Sequence, residues 1–542
     1  MLFVILLWLK ILHSCSADDS SHPKTTICVK RNFLNVDSPI STDSSTFLEF
    51  VNKSDIYIDR SLLIKEILKV RRPLIRITYP RKWGKSTCLH MLKTFFELDT
   101  EVLKNKSIEY PLLTERPSYK YFTQGKISST NSNSSQELKN PPLISNYEHI
   151  IAKYLGKYPV IYLDLSDCKG KNIEILLGKI EQAFNKTYQE HSYLKDAITN
   201  SKPRRLMNSL LTSAHYNESM IITSLRFLSR MLCKYNDKKS FIFIDGYDTI
   251  INEVHFGTNS KFEPEDKERI VNLLVKLLQN TFIDNDFLEK GIITGVFEVL
   301  QHKCFNSTKY VKPFNLLNPS EFFALDENVV RQIFQQMNLP SELSEKAIHW
   351  YGGYKMNENQ YSLLNPRSVA EFLRTKQLAC VWSGTFLQEL LFNLMVKNDH
   401  VACTLRSLIE GARRSISIPD LDFNEEELAE LGTIVNGSLL FRSFDEKIHT
   451  LLFSYLYAAG FLTLSEDIQI IKQKLHVSLR IPNEEVSRAV SLYIDEFCAA
   501  MNSTTTTPRP TEFYYDDTFV MPVILEKEAM RISHKPREYK LI

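Results

Sequence analysis

Short apolar runs alternate with segments of helical periodicity through roughly the first half of the chain. The runs have the length and the β-branched composition of buried strands, and apolar residues at three- and four-residue intervals follow them. The four predicted strands span residues 74–78, 159–165, 241–244 and 291–296. Because strands that alternate with helices form parallel sheets with right-handed crossovers, the pattern predicts an α/β fold with a parallel sheet flanked by helices.

The same periodicity divides the rest of the chain. Over residues 319–500 the strand signal fades and helical stripes continue, which predicts a mainly helical second domain. The first domain is then residues 46–318, and a short amphipathic helix is predicted from Tyr57 to Leu68, before the first strand. Three polar segments complete the division: a flexible leader at 18–45, an exposed insertion at 124–142, and a Thr/Pro-rich linker with an acidic, aromatic tail at 501–542.

Composition narrows the class of protein. The chain has 542 residues, of which 43% are hydrophobic, so it can fill sizeable cores. Its formal charge is only +2, so no overall positive field attracts nucleic acid, and we expect none as a partner. The nine cysteines are scattered without metal-ligand spacing. Without Cys15 their number is even and compatible with disulfides, whereas Cys88, on a predicted helix, is expected to be a buried free thiol.

The N-terminal residues have the pattern of a secretory signal peptide. An apolar run over residues 2–12 is followed by Cys15, Ser16 and Ala17, small residues typical of a cleavage site, so residues 1–17 are the predicted signal peptide. An uncleaved anchor is the alternative. No other stretch reaches about 18 apolar residues, so we expect no membrane span after cleavage. The expected location is secreted or within the lumen of the secretory pathway.

Eight Asn-x-Ser/Thr triplets agree with that route and predict a glycoprotein. Such triplets also arise by chance in a chain rich in Asn and Ser, and the pattern does not say which of them carry glycans. The asparagines are Asn52, Asn105, Asn133, Asn185, Asn217, Asn306, Asn436 and Asn502.

The loop after the first predicted strand has the ending of a phosphate-binding loop. Gly84 lets the backbone approach a phosphate, Lys85 can reach the outer phosphates, and the Ser86 hydroxyl can bind Mg²⁺ at a helix N-terminus. The consensus places a glycine five residues before Gly84, where this chain has Tyr79. A strand-to-helix turn with an exposed lysine is therefore the alternative. The predicted nucleotide-binding residues are Arg81, Lys82, Trp83, Gly84, Lys85, Ser86 and Thr87.

Two later predicted strands end in residues that are candidates for metal binding or catalysis. Asp245 ends the third predicted strand, and a carboxylate at this edge of the sheet can hold Mg²⁺ beside the phosphate loop; the alternative is a solvated aspartate. Thr294 falls at the end of the fourth strand. Its hydroxyl can orient a water or the terminal phosphate, or it can be satisfied within a loop. The predicted metal ligands are thus Ser86 and Asp245.

Five segments match the motifs of one protein family. They are Tyr57-Ile58-Asp59-Arg60, Tyr79-Pro80-Arg81-Lys82-Trp83-Gly84-Lys85-Ser86, Phe243-Ile244-Asp245-Gly246-Tyr247-Asp248, Trp350-Tyr351-Gly352-Gly353-Tyr354 and Leu479-Arg480-Ile481-Pro482-Asn483. Through them the chain resembles the predicted AAA-ATPase-like family of P-loop nucleoside triphosphatases, from about residue 47 to about residue 497. That family also lacks the first loop glycine, so Tyr79 does not argue against the loop.

The resemblance implies ATP as the ligand and Mg²⁺ as the metal. It also exposes one departure: the family has a glutamate directly after the strand-end aspartate, and this chain has Gly246. Asp248 is the carboxylate that can substitute for it in catalysis. Arg367 or Arg480 can reach a neighbour's nucleotide, which leaves an oligomer open, although a surface arginine is the simpler interpretation. Many family members end in a nuclease-like domain, and too few residues follow the helical domain here to form one.

These residues are compatible with two functions. The first is an ATP–Mg²⁺-binding protein in which Gly246 makes hydrolysis slow, so that Gly246→Glu should raise the rate. The second is a secreted binding or effector protein with a vestigial nucleotide site. In the first case Trp83, within the loop, is expected to report nucleotide binding through its fluorescence. The sequence does not identify a protein partner.

Overall fold

The computed structural model describes most of the chain between residues 46 and 502. The described ranges are 26–29, 44, 46–54, 56–98, 113–127, 136–212, 216–257, 262–305, 310–316, 322–356, 362–381, 399–418, 422–435, 446–465, 469–471, 474–502 and 521–522. The predicted signal peptide, most of the leader, the middle of the 124–142 insertion and nearly all of the tail lie outside these ranges.

The strands are short except for those of the central sheet. In chain order they are β1 Thr26–Val29, β2 Ile56–Asp59, β3 Leu74–Thr78, β4 Lys126–Ile127, β5 Gln136–Glu137, β6 Val160–Asp164, β7 Ser240–Asp245, β8 Leu288–Gly295, β9 Glu298–Val299, β10 Val311–Phe314, β11 Leu325–Asp326, β12 Leu363–Leu364, β13 Ala379–Cys380, β14 Arg414–Ile418, β15 Asp422–Phe423, β16 Thr463–Leu464, β17 Gln469–Ile471, β18 Lys474–Arg480 and β19 Met521–Pro522.

Helices connect and cover these strands. They are α1 Phe47–Lys53, α2 Leu62–Lys69, α3 Lys85–Phe96, α4 Pro117–Gln124, α5 Glu148–Tyr154, α6 Ile173–Glu190, α7 Leu194–Ala197, α8 Ser201–Thr212, α9 Glu218–Asn236, α10 Thr249–Phe256, α11 Pro264–Phe282, α12 Gln301–Cys304, α13 Glu327–Gln336, α14 Ser341–Tyr351, α15 Pro366–Thr375, α16 Asp399–Ile409, α17 Glu425–Val435, α18 Glu446–Ala459 and α19 Glu484–Asn502.

Five parallel strands form the central sheet, in the order β10-β3-β8-β7-β6. All residues of β3 and β7 are buried, and their mainly apolar sequences suit strands that helices cover on both faces. The four strands predicted from the sequence are β3, β6, β7 and β8, so the predicted α/β fold is confirmed. The order matters for function because it places the carboxyl end of β8 between those of β3 and β7.

Two local predictions need correction. Tyr57 lies in β2, which pairs antiparallel with β1, and the helix begins only at Leu62. The helical second domain also contains an antiparallel sheet of β14, β16, β17 and β18. Strands that pair with distant partners leave a weaker local signal than helices, because their stability comes from the partner strand and not from nearby residues. The domain boundaries themselves stay a prediction.

The 124–142 segment is attached to the core where it is described. Its two ends pair as β4 and β5, and Ile127 and Leu138 are buried. The predicted exposure can therefore apply only to its middle, which lies outside the described residues.

Apolar packing joins the sheet to the C-terminal helices. The largest group of buried apolar residues includes the central sheet and residues from α16 to α19. A second group lies around α13, α14 and α15 and includes Ile56 of β2. Among the described residues, none of the helices combines the length and apolar character needed to cross a membrane.

Candidate nucleotide-binding site

A cavity of about 660 Å³ opens at the carboxyl end of the central sheet. The β3–α3 loop and the start of α3 line one side, and the ends of β7 and β8 and the loop after β6 line the other. Helix α15 contributes Pro366, Arg367 and Ala370 from the helical part of the same chain. This is the position at which parallel α/β sheets bind ligands.

The β3–α3 loop has the backbone that its sequence predicts. Gly84 has φ +82° and directly precedes α3, and a Cβ there would collide with the Arg60 guanidinium. The left-handed backbone therefore favours glycine at this position, whereas the Arg60 guanidinium is the end of a flexible side chain and can move aside. Ser86 is exposed in the first turn of α3, where unpaired N–H groups favour an anion. Arg81, Lys82, Lys85 and Thr87 also line the cavity.

Lys85 is held back against its own loop. Its ammonium donates hydrogen bonds of 2.8 Å to the carbonyl oxygens of Tyr79 and Pro80. Burial lowers the pKa of Lys85 to about 8, against the opposing effect of Asp248 and Asp245. Lys85 is thus half-buried rather than fully exposed. A phosphate in the cavity would stabilise the charged ammonium, which burial has separated from water, and would raise the pKa of Lys85 again.

Asp245 is fixed in orientation by two hydroxyl groups. The carboxylate accepts hydrogen bonds from Thr294 and, at 3.2 Å, from the Tyr162 hydroxyl. Tyr162 is in turn hydrogen-bonded at 2.9 Å to Nε2 of His90, which lines the cavity. Asp245 is 5% exposed and also lines the cavity, so the alternative of a solvated aspartate does not hold.

Thr294 is placed differently from the catalytic position that we predicted. It is fully buried within β8, in register with Asp245, and is not among the described residues that line the cavity. Its hydroxyl is satisfied by the Asp245 carboxylate. Thr294 therefore positions the predicted metal ligand and does not itself face the ligand space.

The oxygen groups of the site suit Mg²⁺. Ser86 supplies a hydroxyl and Asp245 a carboxylate, and both line the same cavity. Mg²⁺ prefers such hard oxygen ligands and usually takes only one or two from the protein, with phosphate and water completing the shell. Among the described residues there is no group of three or more His, Cys, Asp or Glu side chains that could hold a metal alone.

Asp248 lines the cavity, but most of its hydrogen bonds hold the protein together. Its Oδ2 accepts from the backbone N–H groups of Val296 and Phe297, both at 2.9 Å, and from Asn252 at 3.2 Å. Burial raises the pKa of Asp248 despite these bonds. The carboxylate thereby fixes the backbone that follows β8.

Gly246 explains why the family glutamate is absent. It has φ +67°, and a Cβ there would lie 2.8 Å from Cα and 2.9 Å from N of Ser166, in the loop after β6. These are backbone atoms, which cannot rotate away as a side chain can. The effect of Gly246→Glu on hydrolysis stays a prediction, and this geometry adds that the side chain would strain the backbone and displace the loop after β6.

Trp83 and Arg480 prove to be packing residues. The Trp83 ring is 1% exposed, stacks against Tyr79 at a centroid distance of 6.0 Å and meets Tyr354 edge-on at 5.3 Å. It is not among the described residues that line the cavity. Arg480 donates to the carbonyl oxygens of Gly353, Ile481 and Pro482. Trp83 can thus sense a nucleotide only indirectly.

The structure adds residues that we did not predict from the sequence. Arg60 lies beside Gly84 and donates to the Ala324 carbonyl oxygen at 3.3 Å. Phe50 and Ile58, from α1 and β2, add apolar surface to the cavity lining, and Asp167, in the loop after β6, lines the cavity as well. Arg60 directly follows Tyr-Ile-Asp in the first family motif, and that position is the only feature of the sequence that indicated a role for it.

A buried ion pair anchors the strand before the loop. Arg76 of β3 pairs with Glu298 of β9, and Glu298 also accepts hydrogen bonds from Thr78 and Asn315. Leaving either charge of such a pair uncompensated typically costs about 3–5 kcal/mol. The network joins β3, β9 and the segment after β10.

Comparison with known proteins supports the family. Residues 39–305 match the model of the predicted AAA-ATPase family. No curated protein matches the chain. The match covers the loop, the strand-end aspartate and the central sheet up to β8, so residues 39–305 form a domain of the predicted AAA-ATPase family.

Proposed function

We propose that the cavity binds ATP together with Mg²⁺ and that the protein hydrolyses ATP slowly. The single observation that carries this proposal is that Lys85, Ser86 and Asp245 line one cavity at the carboxyl end of the sheet. These three residues are the minimum set that a P-loop site uses to bind phosphates and a metal ion.

The apolar part of the cavity lining supports a nucleotide over a simple phosphate. Phe47, Phe50, Tyr57 and Ile58 line it, and they supply apolar and aromatic surface. A base and a ribose need such surface, whereas free phosphate or pyrophosphate does not. ATP, among nucleotides, is what membership in the family implies.

Charges around the cavity suit a triphosphate. Arg60, Arg81, Lys82 and Lys85 approach from the loop side, and Arg367 approaches from α15. Arg367 lies in the same chain as the loop, so its action on the nucleotide would need no neighbouring copy. Bound Mg²⁺ would be held by Ser86 and Asp245 and would supply further positive charge to the phosphates.

The residues at the ends of β7 and β8 lead us to expect slow ATP hydrolysis. Gly246 carries no carboxylate, and the Oδ2 of Asp248 is committed to three N–H donors. A positioned general base typically contributes about 10²–10⁴-fold to a rate, so its weakening leaves a slow enzyme. A protein with a vestigial site would differ by failing to bind the nucleotide at all.

Metal dependence tests the proposal. The full chain is titrated calorimetrically with ATP, once with excess Mg²⁺ and once with excess chelator. We expect the affinity to be at least about tenfold higher with Mg²⁺, since a metal bridge to phosphate contributes more than one hydrogen bond. Ser86→Ala should lose most of that difference, whereas Ser209→Ala, an exposed serine on α8, should keep it. Absence of ATP binding in both solutions would favour the vestigial site.

We also propose that the chain enters the secretory pathway, on the strength of the N-terminal pattern and the eight triplets. Asn217 suits a glycan: it is exposed, and its side-chain oxygen caps α9 by accepting from Met220 N–H at 2.8 Å. Asn185 suits one less well, because its partner Thr187 is buried within α6. Of the other six, Asn105, Asn133, Asn306 and Asn436 lie outside the described residues. An N-terminus near Asp18 in protein from a eukaryotic secretory host would support export, and retention of Met1 would refute it.

A further inference from the structure

The loop after β6 runs beside the end of β7 and is held there by several hydrogen bonds. Asp164 and Asp245 are register partners, and the Leu165 N–H continues the pairing by donating to the Asp245 carbonyl oxygen at 2.8 Å. Asp164 Oδ1 then accepts from the Ser166 N–H at 3.0 Å, and Gly170 N–H donates to Glu253 at 3.3 Å. The loop therefore has a defined path past the metal-binding aspartate.

Gly246 is what allows this path. The Ser166 backbone lies within 3 Å of the position that a Cβ at residue 246 would occupy. A side chain directly after Asp245 and this course of the loop thus exclude each other. The missing glutamate and the close approach of the loop are two aspects of one local arrangement.

The loop brings a different carboxylate into the cavity. Asp167 is exposed and lines the cavity together with Ser86, Lys85 and Asp245. Its backbone carbonyl accepts from Lys169 N–H at 2.9 Å, which fixes the turn at that residue. Asp248 and Glu253 also line this space. Asp248 is buried and holds Val296 and Phe297 in place, and Glu253 accepts a hydrogen bond from the Gly170 N–H.

We propose that Asp167 is the carboxylate that accepts the proton of the attacking water, in place of the residue after Asp245. This inference rests on the proposed function. In the step, the water oxygen forms a bond to the γ-phosphorus while the bond from that phosphorus to the β–γ bridging oxygen breaks. The bridging oxygen leaves with the electron pair as part of ADP. The proton of the water passes to the Asp167 carboxylate and is later released to solvent with inorganic phosphate as the second product.

The test compares turnover with affinity in the full chain. MgATP affinity is measured by calorimetry and steady-state phosphate release by a coupled assay, for the wild type and for Asp167→Asn. We expect phosphate release to fall by about 100-fold or more, the lower end of the general-base range, while the MgATP dissociation constant stays within about threefold. Asp167→Glu should recover at least about tenfold over Asp167→Asn, because the carboxylate returns on a longer side chain.

Matched variants separate this role from the alternatives. Asp196→Asn, on the exposed surface of α7, should leave both quantities unchanged. If Asp167→Asn keeps phosphate release within about threefold of the wild type, Asp167 is not the base. Asp167 is also excluded as the base if the wild type binds MgATP but releases no more phosphate than Lys85→Ala. If the wild type binds no MgATP, the proposed function itself fails and this inference fails with it.

Discussion

The two walls of the cavity are built in different ways. The phosphate-loop wall is one continuous stretch of chain, from Tyr79 to Cys88, and its polar groups are neighbours in sequence. The opposite wall is assembled from the ends of β6, β7 and β8, which lie far apart in sequence and meet only because of the strand order. The first wall keeps the residues expected of a P-loop, whereas the second replaces a glutamate by Gly246. The residues that we propose for phosphate binding thus lie in one wall, and the departure from the family's hydrolytic residues lies in the other.

The two walls are also stabilised by different interactions. The loop wall packs through Trp83 against Tyr79 and Tyr354, and these aromatic rings lie behind the cavity lining. The opposite wall depends on acceptors that hold backbone N–H groups, namely Asp164 for Ser166 and Asp248 for Val296 and Phe297. We therefore expect substitutions in the second wall to affect folding and turnover together, and substitutions in the first to affect binding.

The largest expected effect on stability is at Gly246. Gly246→Ala must place a Cβ at φ +67° and within 3 Å of the Ser166 backbone. We expect the free energy of unfolding to fall by roughly 2 kcal/mol or more, as the sum of left-handed strain and the displacement of packed backbone. Chemical denaturation measures this change.

Gly178→Ala is the matched control for that variant. Gly178 lies within α6, and a Cβ there would contact nothing within 4 Å. An alanine in a helix interior should raise stability by roughly 0.5–1 kcal/mol. Equal stability of Gly246→Ala and the wild type would show that the loop after β6 is free to move, and the contrast between the two walls would be lost.

A smaller effect is expected from pH on the loop wall. Burial lowers the pKa of Lys85 to about 8, so the free protein loses the charge of this ammonium group as the pH rises through that value. Above that pH, binding of the phosphates must be coupled to protonation of Lys85, which weakens the observed affinity. MgATP affinity should therefore be nearly constant below pH 7 and fall by about tenfold in all between pH 7 and pH 9. Calorimetric titrations at pH 7, 8 and 9 measure it.

Lys85→Arg is the control for the pH effect. An arginine stays protonated throughout this range, so the affinity of that variant should be nearly flat with pH. A wild-type affinity that does not change from pH 7 to pH 9 would mean that Lys85 is not the titrating group that meets the phosphates.

The predictable parts of the fold are those with a local cause. Strands β3 and β7 are continuous buried runs, and Gly84, Lys85 and Ser86 act within one turn of the chain, so their sequence is sufficient. Tyr57 was predicted to be helical because its strand depends on pairing with Cys28 of β1, a partner that local periodicity does not contain. The antiparallel strands of the helical domain escaped prediction for the same reason.

The opposite wall shows where sequence ceases to be sufficient. Thr294 meets Asp245 only through the register of β7 and β8, and that contact turns its hydroxyl into a support for the carboxylate. Asp167 lies in a polar loop whose sequence carries no functional motif. From the sequence alone Gly246 indicates only the loss of the family's glutamate, and its close approach to Ser166 becomes known from the structure. Each of these three residues has a role that depends on contact between two segments far apart in sequence. Local sequence patterns do not predict such contacts.

The most direct measurement of the central claim is calorimetric titration of the full chain with MgATP, for the wild type and for Lys85→Ala. A charged group that meets phosphates contributes about 1.5–3 kcal/mol per hydrogen bond, so we expect one saturable site in the wild type and binding at least about tenfold weaker in the variant. Lys195→Ala, on the exposed surface of α7, should bind as the wild type does. Equal affinity of wild type and Lys85→Ala, or no heat of binding in the wild type, would contradict the assignment of this cavity as a nucleotide site.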